Sequence, residues 1–207
     1  MTQALDQGAL DQLFLTARTH AAWLPEPVSD AVLHQLYELM RMAPTSANCA
    51  PARILFLRTP AAKERLMPAL SPGNVDKTMS APVTAIIAYD LRFYDQLPFL
   101  FPHRDVRPTF ARNAVLAQST AFRNSSLQGA YFMLAARALG LDCGPMSGFD
   151  QSKVDLEFFA PPETSGAERV LETLIRTNFL CNLGYGDGSA LMPRLPRLSF
   201  EDACTLL

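Results

Sequence analysis

The stretch Pro44-Thr45-Ser46-Ala47-Asn48-Cys49-Ala50-Pro51 lies between an amphipathic helix pattern and an apolar run, and the remaining segments are arranged around it. Proline at each end limits regular backbone hydrogen bonding, so the N–H groups between the two prolines need other partners. A planar polar ligand would supply them, whereas a helix stop followed by a serine and asparagine turn would need no ligand. The stretch alone leaves both interpretations open.

Length and composition limit the protein class. A chain of 207 residues is long enough for one domain with a full core, and we expect a single domain over 1–207. Hydrophobic residues make up 49% and charged residues 18%, which favours burial of some apolar surface between subunits. The net charge of −2 and the scattered basic residues argue against nucleic-acid binding. Without a signal-peptide pattern or a run near the ~20 apolar residues that span a bilayer, we expect a cytoplasmic protein with no membrane segment.

Helix and strand patterns lie on both sides of the 44–51 stretch, which is called the opening turn below. Periodicity and capping residues predict helices at 8–18, 29–44, 59–70, 114–139 and 153–158, and apolar runs predict strands at 53–58, 83–89 and 177–184. Between them we expect a polar connection at 71–77, an irregular excursion at 91–112, a turn at 143–150, a helical or extended patch from Glu168 and an extended tail at 191–198. Strands separated by helices indicate an α/β or α+β fold with one central sheet.

Polar residues recur at the ends of these apolar elements. They form five short polar segments, at 18–20, 44–48, 74–77, 145–148 and 194. Together these segments offer arginines or a lysine for a phosphate, amides for the edge of a heteroaromatic ring, and glycine-flanked backbone for a ring face. A bound flavin mononucleotide requires this set of groups.

Other common sites are not supported. Gly184-Tyr185-Gly186-Asp187-Gly188 follows a strand, but Pro193 and Pro196 leave no room for the crossover helix of a dinucleotide fold. The four cysteines show no CxxC pairing and the three histidines no ligand spacing, so we expect no metal. Neither a Walker A loop nor a G-x-S-x-G elbow is present.

The chain resembles the FMN-dependent nitroreductase superfamily over nearly its whole length. The resemblance rests on Arg18, the 44–51 turn, the Asn74 and Lys77 pair, the 140–150 segment and Arg194-Leu195-Pro196. It implies an α+β three-layer sandwich with a central mixed sheet flanked by helices. It also implies an intertwined homodimer with FMN at the subunit interface and NADPH or NADH as hydride donor.

The resemblance also implies roles for individual residues. Arg18 and Arg194 would hold the flavin phosphate with His20 near it, while Asn74 and Lys77 would contact the polar edge of the ring. Chemistry would be centred on the flavin, with Lys77 stabilising its anionic reduced form. The remaining expected contacts are to a flavin in the partner's half-site (Ser46 and Asn48) and to the ring face (Pro145, Met146, Ser147 and Gly148).

Segments 17–20, 121–126, 144–150 and 184–187 resemble the branch that reduces malonic semialdehyde (3-oxopropanoate) in pyrimidine degradation. Departures from common family residues occur at His20, Ala22, Ala50 and Ser147. A nitroaromatic or quinone reductase with the same cofactor, and a flavin-binding protein without turnover, remain alternatives. Arg123, His103 and Arg104 are available for a substrate carboxylate, and the sequence assigns none of them.

Overall fold

The computed structural model describes residues 3–161 and 174–207. In these ranges the strands are Ala52–Leu57 (β1), Val83–Asp90 (β2), Asp142–Met146 (β3) and Ile175–Gly184 (β4). The α-helices are Gln7–Leu10 (α1), Asp30–Met40 (α2), Pro60–Leu66 (α3), Pro72–Ser80 (α4), Leu97–Leu100 (α5), Arg107–Ala111 (α6), Ala114–Ala138 (α7), Gln151–Phe158 (α8) and Phe200–Ala203 (α9). A π-helix over Asp11–Leu15 continues α1.

The strands form one sheet in the order β1-β2-β4-β3, and each neighbouring pair is antiparallel. This corrects the expectation of a mixed sheet, since parallel pairing among the described residues is confined to an isolated bridge between Thr19 and Cys143. The reason lies in the connection between β1 and β2. Leu57 at the end of β1 pairs with Thr84 near the start of β2, so α3 and α4 return the chain to the end of the sheet that it left. A single crossover helix would have made the pair parallel.

Helices cover both faces of this sheet. On one face, α2 and α7 pack against Ala85 and Ile87 of β2. On the other face, α3 and α8 pack against Ile86 and Leu180. Because successive strand residues point to opposite faces, β2 is buried on both sides. The predicted three-layer α+β sandwich is confirmed.

Local capping signals set the predicted helix boundaries. The Ser29 hydroxyl accepts a hydrogen bond from Val32 N at 3.3 Å and begins α2, as expected. Asn113 begins α7 in the same way. The chain leaves α7 through Gly140, whose φ of 80° is a conformation that glycine adopts without a side-chain penalty. The long helix predicted at 114–139 is therefore confirmed to within one residue at its end.

Two segments expected to be connections are regular structure. Residues 71–77 lie in α4, where Pro72 occupies the first turn and so loses no helical hydrogen bond. The 143–150 segment begins as part of β3, and Pro145 is tolerated because β3 is an edge strand. The 177–184 strand is correspondingly the fourth, and it starts at Ile175. The patch expected from Glu168 lies outside the described residues.

The excursion at 91–112 contains short helices and packs beside the opening turn. Phe93, Leu97 and Phe110 are buried around Cys49, which belongs to that turn. This packing fixes the excursion on the chain's own 44–51 segment. Within the described ranges, none of the helices has the length and apolar content that a bilayer crossing requires.

Candidate functional site

Two arginines from opposite ends of the chain each donate a hydrogen bond to the backbone of the other's segment. Arg18 Nη2 donates to the carbonyl oxygen of Met192, and Arg194 Nη2 donates to that of Ala17 at 3.0 Å. The tail after β4 therefore folds back along the segment that follows the first helix. The structure brings together the two arginines that the resemblance assigned to one phosphate.

These arginines line a cleft of about 680 Å³ with a mostly basic charged lining. Its ionisable side chains among the described residues are Arg18, Arg137, Arg194, Arg197 and Asp187. Hydrogen bonds from Ser189 lower the pKa of Asp187, so this carboxylate stays ionised and is already bound. The described lining therefore carries four guanidinium groups and one carboxylate, which is already hydrogen-bonded to Ser189. This excess of positive charge favours binding of an anion, and the guanidinium fork suits phosphate.

Arg137 and Arg197 were not among the expected site residues. Arg137 lies in the last turn of α7, where its Nη1 donates to Leu13 O at 3.0 Å. Its buried Nε has no hydrogen-bond partner in the part of the chain that the structure describes. Arg197 lies three positions after Arg194 in the same tail. The spacing in the tail could have suggested Arg197, whereas Arg137 has the sequence context of an ordinary helix-terminal cation.

His20 lies next to this cleft without lining it. Its ring is 7% exposed, and Nε2 lies 3.4 Å from Asp142 Oδ1. Nδ1 has no hydrogen-bond partner among residues 3–161 and 174–207. Gly186 packs against the ring, and a Cβ there would lie 1.9 Å from Nδ1. His20 also donates its backbone N–H to Cys143 O at 3.0 Å, which fixes the segment carrying Arg18.

A second polar cluster joins the N-terminal turn of α4 to the loop after β3. Asn74 Nδ2 and the backbone N of Ser71 both donate to Gly148 O, at 2.7 and 3.0 Å. In the same loop, Asp150 N donates to Ala69 O at 2.7 Å. A Cβ at position 148 would lie 2.6 Å from Asn74 Nδ2, so a larger residue there would displace this amide. Asn74 and Gly148, predicted for one site, are thus in direct contact.

Lys77 lies three residues after Asn74 on α4, which places the two side chains on one face of the helix. The residue is half-buried. Its carbonyl oxygen accepts hydrogen bonds from Trp23 Nε1 and Asn182 Nδ2, both at 3.0 Å. Within 3–161 and 174–207, its ammonium group has neither an ion pair nor a hydrogen bond. The cation is therefore available to a ligand.

The expected ring-face residues continue from the end of β3. Pro145 and Met146 are opposite Cys181 and Leu180 of β4, while Ser147 is exposed. The Thr78 hydroxyl lies 3.6 Å from Met146 Sδ, which ties this strand end to α4. The 145–148 backbone therefore runs beside the helix that carries Asn74 and Lys77.

Trp23 connects the arginine cleft to this second cluster. It forms an isolated bridge with Gly186, just before the tail, and its indole N–H reaches Lys77 O. The bridge between Thr19 and Cys143 lays the segment after Arg18 beside β3. Arg18, Asn74 and Arg194 are thus grouped along the β3 side of the molecule.

The opening turn lies at the other side of the sheet. It leads into β1, and β1 and β3 are opposite edge strands, separated by three strand spacings or about 14 Å. Ser46 and Asn48 are exposed, and Asn48 Nδ2 donates to Leu100 O at 2.8 Å. These two predicted site residues therefore do not join the Asn74 cluster within one chain.

The cysteine, metal-ligand and substrate-binding candidates do not form a further site among the described residues. Burial raises the pKa of the Cys49 thiol to about 11, which keeps it protonated and unreactive. No trio of metal-ligating side chains is assembled within the two described ranges. Arg104 and Arg123 are exposed, and His103 packs edge-on against Phe101 at 5.9 Å.

Comparisons with known proteins identify relatives of this chain. The model of the Nitroreductase family matches residues 16–167. A Burkholderia lata protein, provisionally named NADH dehydrogenase/NAD(P)H nitroreductase, is 59% identical over 198 residues, covering 96% of each chain. A solved Exiguobacterium sibiricum protein in complex with FMN has a TM-score of 0.79 at 20% identity and full coverage of both chains. A nitroreductase family protein from Streptococcus pneumoniae has a TM-score of 0.76 at 20% identity, covering 95% of this chain and 98% of that one.

The matched family region contains most of the residues assembled above. It includes Arg18, the 44–51 turn, α4 and the loop after β3, and it ends before the tail that carries Arg194. The match covers well over half of the chain, and the Burkholderia lata relative extends the similarity to nearly all of it. The chain belongs to the nitroreductase family.

Proposed function

We propose that this protein binds FMN and transfers a hydride from NADPH or NADH to a small organic acceptor. The observation that carries this proposal is the contact between Asn74 and Gly148 beside Lys77, whose ammonium group is unpaired among the described residues. This cluster lies on the same side of the sheet as the arginine cleft. The name of the Burkholderia lata relative supports the nicotinamide donor, and the FMN complex of the Exiguobacterium sibiricum structure supports the cofactor.

The arginine cleft fits the phosphate of FMN. Arg18 and Arg194 would bind it directly, because their reciprocal backbone contacts hold both guanidinium groups at one cleft. Arg137 and Arg197 add positive charge to the same lining. His20 supports this end indirectly by packing against Gly186 and fixing the backbone after Arg18.

Asn74 and Lys77 fit the polar edge of the flavin ring. Asn74 uses Nδ2 on Gly148 O, so its Oδ1 remains an acceptor for a ring N–H. When bound, FMN supplies the redox chemistry by accepting a hydride and passing it on. The Lys77 ammonium would stabilise the negative charge that the ring gains, since a fixed cation is worth most in a site shielded from water. The backbone of Pro145, Met146, Ser147 and Gly148 would lie against the ring face.

We further propose a homodimer in which Ser46 and Asn48 complete the site of the other subunit. Their position at the opposite sheet edge supports this arrangement, because one chain alone holds them apart from Asn74. The extended tail supports it too, since Leu195 and Leu198 are each 75% exposed. Burying these side chains against a second copy would remove apolar surface from water. The groove of about 810 Å³ beside the unpaired edge of β1 is the surface that receives the tail in this proposal.

For the acceptor we propose 3-oxopropanoate, reduced to 3-hydroxypropanoate in pyrimidine degradation. Support for this substrate comes from the resemblance of segments 17–20, 121–126, 144–150 and 184–187 to the malonic semialdehyde branch. A nitroaromatic or quinone acceptor is the second candidate, and the name of the Burkholderia lata relative favours it. We also propose a cytoplasmic location, where both nicotinamide donors are available.

Anaerobic reduction and reoxidation test the function. NADPH or NADH should bleach the bound flavin, and the colour should return when the true acceptor is added. Recovery with 3-oxopropanoate but not with a nitroaromatic would support the first acceptor, and the reverse would support the second. A purified protein that is colourless, and that retains no flavin after incubation with FMN and removal of the free cofactor, would contradict the proposal and favour a role without turnover.

A further inference from the structure

The backbone of the opening turn has a costly conformation. Ala47, Asn48 and Ala50 have positive φ values of 51°, 50° and 36°. A positive φ is unfavourable for residues other than glycine, and alanine has no side-chain group that could offset the cost locally. Some other part of the protein must therefore hold this turn.

Helix α7 supplies that support through two buried amides. Asn124 Oδ1 accepts a hydrogen bond from Ser46 N at 2.8 Å, at the start of the left-handed residues. Gln128 Oε1 accepts one from Ala52 N at 2.9 Å, two residues after the last of them. Asn124 and Gln128 are four residues apart on α7, so both face the turn, and they are 3% and 4% exposed.

The Asn124 side chain is itself held in one orientation. Its Nδ2 donates to Thr120 O at 2.8 Å, one helical turn earlier. This bond leaves Oδ1 directed at Ser46 N, because exchanging the two ends of the amide would place two donors together. The acceptor that restrains the turn is thus oriented by the rigid helix beneath it.

We propose that Asn124 is a positioning residue for the flavin site, acting through the backbone of Ser46. This inference rests on the proposed function, in which Ser46 and Asn48 approach the flavin of the other subunit. Without the Asn124 acceptor, Ser46 N loses its partner and the left-handed residues lose one of their restraints. The turn then relaxes, and FMN loses contacts that the opposite subunit supplies.

The test compares Asn124→Leu, Asn124→Asp and Ser125→Ala by calorimetric titration of FMN into each apoprotein. Leu removes the acceptor at similar volume, whereas the Asp carboxylate still accepts from Ser46 N but loses the donor to Thr120. Ser125→Ala is the matched control, since Ser125 is a fully buried polar residue of the same helix that contacts Asn178 instead of the turn.

We expect Asn124→Leu to weaken FMN binding about tenfold or more, equivalent to about 1.4 kcal/mol. The FMN affinity of Asn124→Asp should stay within about threefold of that of the wild type. Its melting temperature should nevertheless fall at least as far as that of Asn124→Leu, because the variant buries a charge. If Asn124→Leu does not fold, Asn124→Ser replaces it, because its hydroxyl is too short to reach Ser46 N.

Three outcomes would overturn the inference. The first is wild-type FMN affinity in Asn124→Leu, and the second is a loss of affinity in the three variants that simply follows their loss of stability. The third is absence of FMN binding by the wild type, which would also overturn the proposed function. Binding by the wild type together with normal binding by Asn124→Leu would overturn the positioning role alone.

Discussion

Asn74 Nδ2 and Gly148 O form a 2.7 Å hydrogen bond between residues that are 74 positions apart in the chain. The bond fastens the first turn of α4 to the loop after β3, and Ser71 N donates to the same carbonyl oxygen. A Cβ at position 148 would lie 2.6 Å from Asn74 Nδ2 and would displace the amide that makes this contact. The contribution of this hydrogen bond to stability can therefore be measured by substituting Asn74.

Replacing Asn74 with leucine should lower the unfolding free energy by about 0.5–1.5 kcal/mol, because Gly148 O keeps Ser71 N as a donor. Under the proposed function, the same change should weaken FMN binding. Urea denaturation of the apoprotein and FMN titration measure the two effects separately. Ser147→Ala is the stability control, and it should stay within about 0.5 kcal/mol of the wild type because Ser147 is exposed.

Gly186→Ala should destabilise the protein by about 1–3 kcal/mol, since the new Cβ would lie 1.9 Å from the buried His20 ring. Gly73→Ala is the matched control, because no described atom lies within 4 Å of a Cβ at this helical position. It should stabilise α4 by up to about 1 kcal/mol. The double variant His20→Ala/Gly186→Ala should lose less than the sum of its single changes. Additive losses would contradict the contact.

Lys77→Met should lower the midpoint potential of the bound flavin, because the cation that favours the anionic reduced form is removed. A drop of about 30 mV corresponds to the loss of about 1.4 kcal/mol in the preference for the reduced form. Spectroelectrochemical titration measures it. Arg65→Met removes an exposed cation that pairs with Glu157, and it should leave the potential unchanged. Equal potentials in the wild type and Lys77→Met would remove Lys77 from the proposed role.

The Cys49 thiol predicts a decline in stability at alkaline pH. Burial raises its pKa from 9.0 to about 11, so the unfolded chain loses the proton first as the pH rises. The stabilisation is complete below about pH 9 and is lost as the pH rises to about 11. The loss in unfolding free energy should reach about 1 kcal/mol by pH 10. Urea denaturation at pH 8 and pH 10 should therefore show a smaller decline for Cys49→Ala than for the wild type. Rapid alkylation of native Cys49 at pH 8 would contradict the buried, protonated thiol.

Sequence patterns identified the elements whose signals are local. Ser29 marks the start of α2, and the mostly apolar run from Val83 predicts β2, because capping and burial act within a few residues. The same approach missed α4 and β3. Pro72 and Pro145 are typical turn residues, and only tertiary structure shows that one begins a helix and the other lies on a sheet edge.

The site could be predicted only in part for a similar reason. Arg18 and Arg194 stand in recognisable segments, and the family resemblance groups them, as does the cleft that both of them line. Arg137 and Asn124 lie within the long helix α7, where each has the sequence context of an ordinary helical residue. What distinguishes them is the distant backbone that each one contacts, and neither helical period nor composition contains that information.

The position of Trp23 gives the protein a built-in optical reporter. It is the only tryptophan in the chain, and its indole is hydrogen-bonded to the backbone of Lys77 between the two halves of the candidate site. Its ultraviolet emission therefore comes from one known location. A flavin seated between Arg18 and Lys77 would quench that emission by energy transfer, so occupancy could be followed without an attached dye in every variant discussed above.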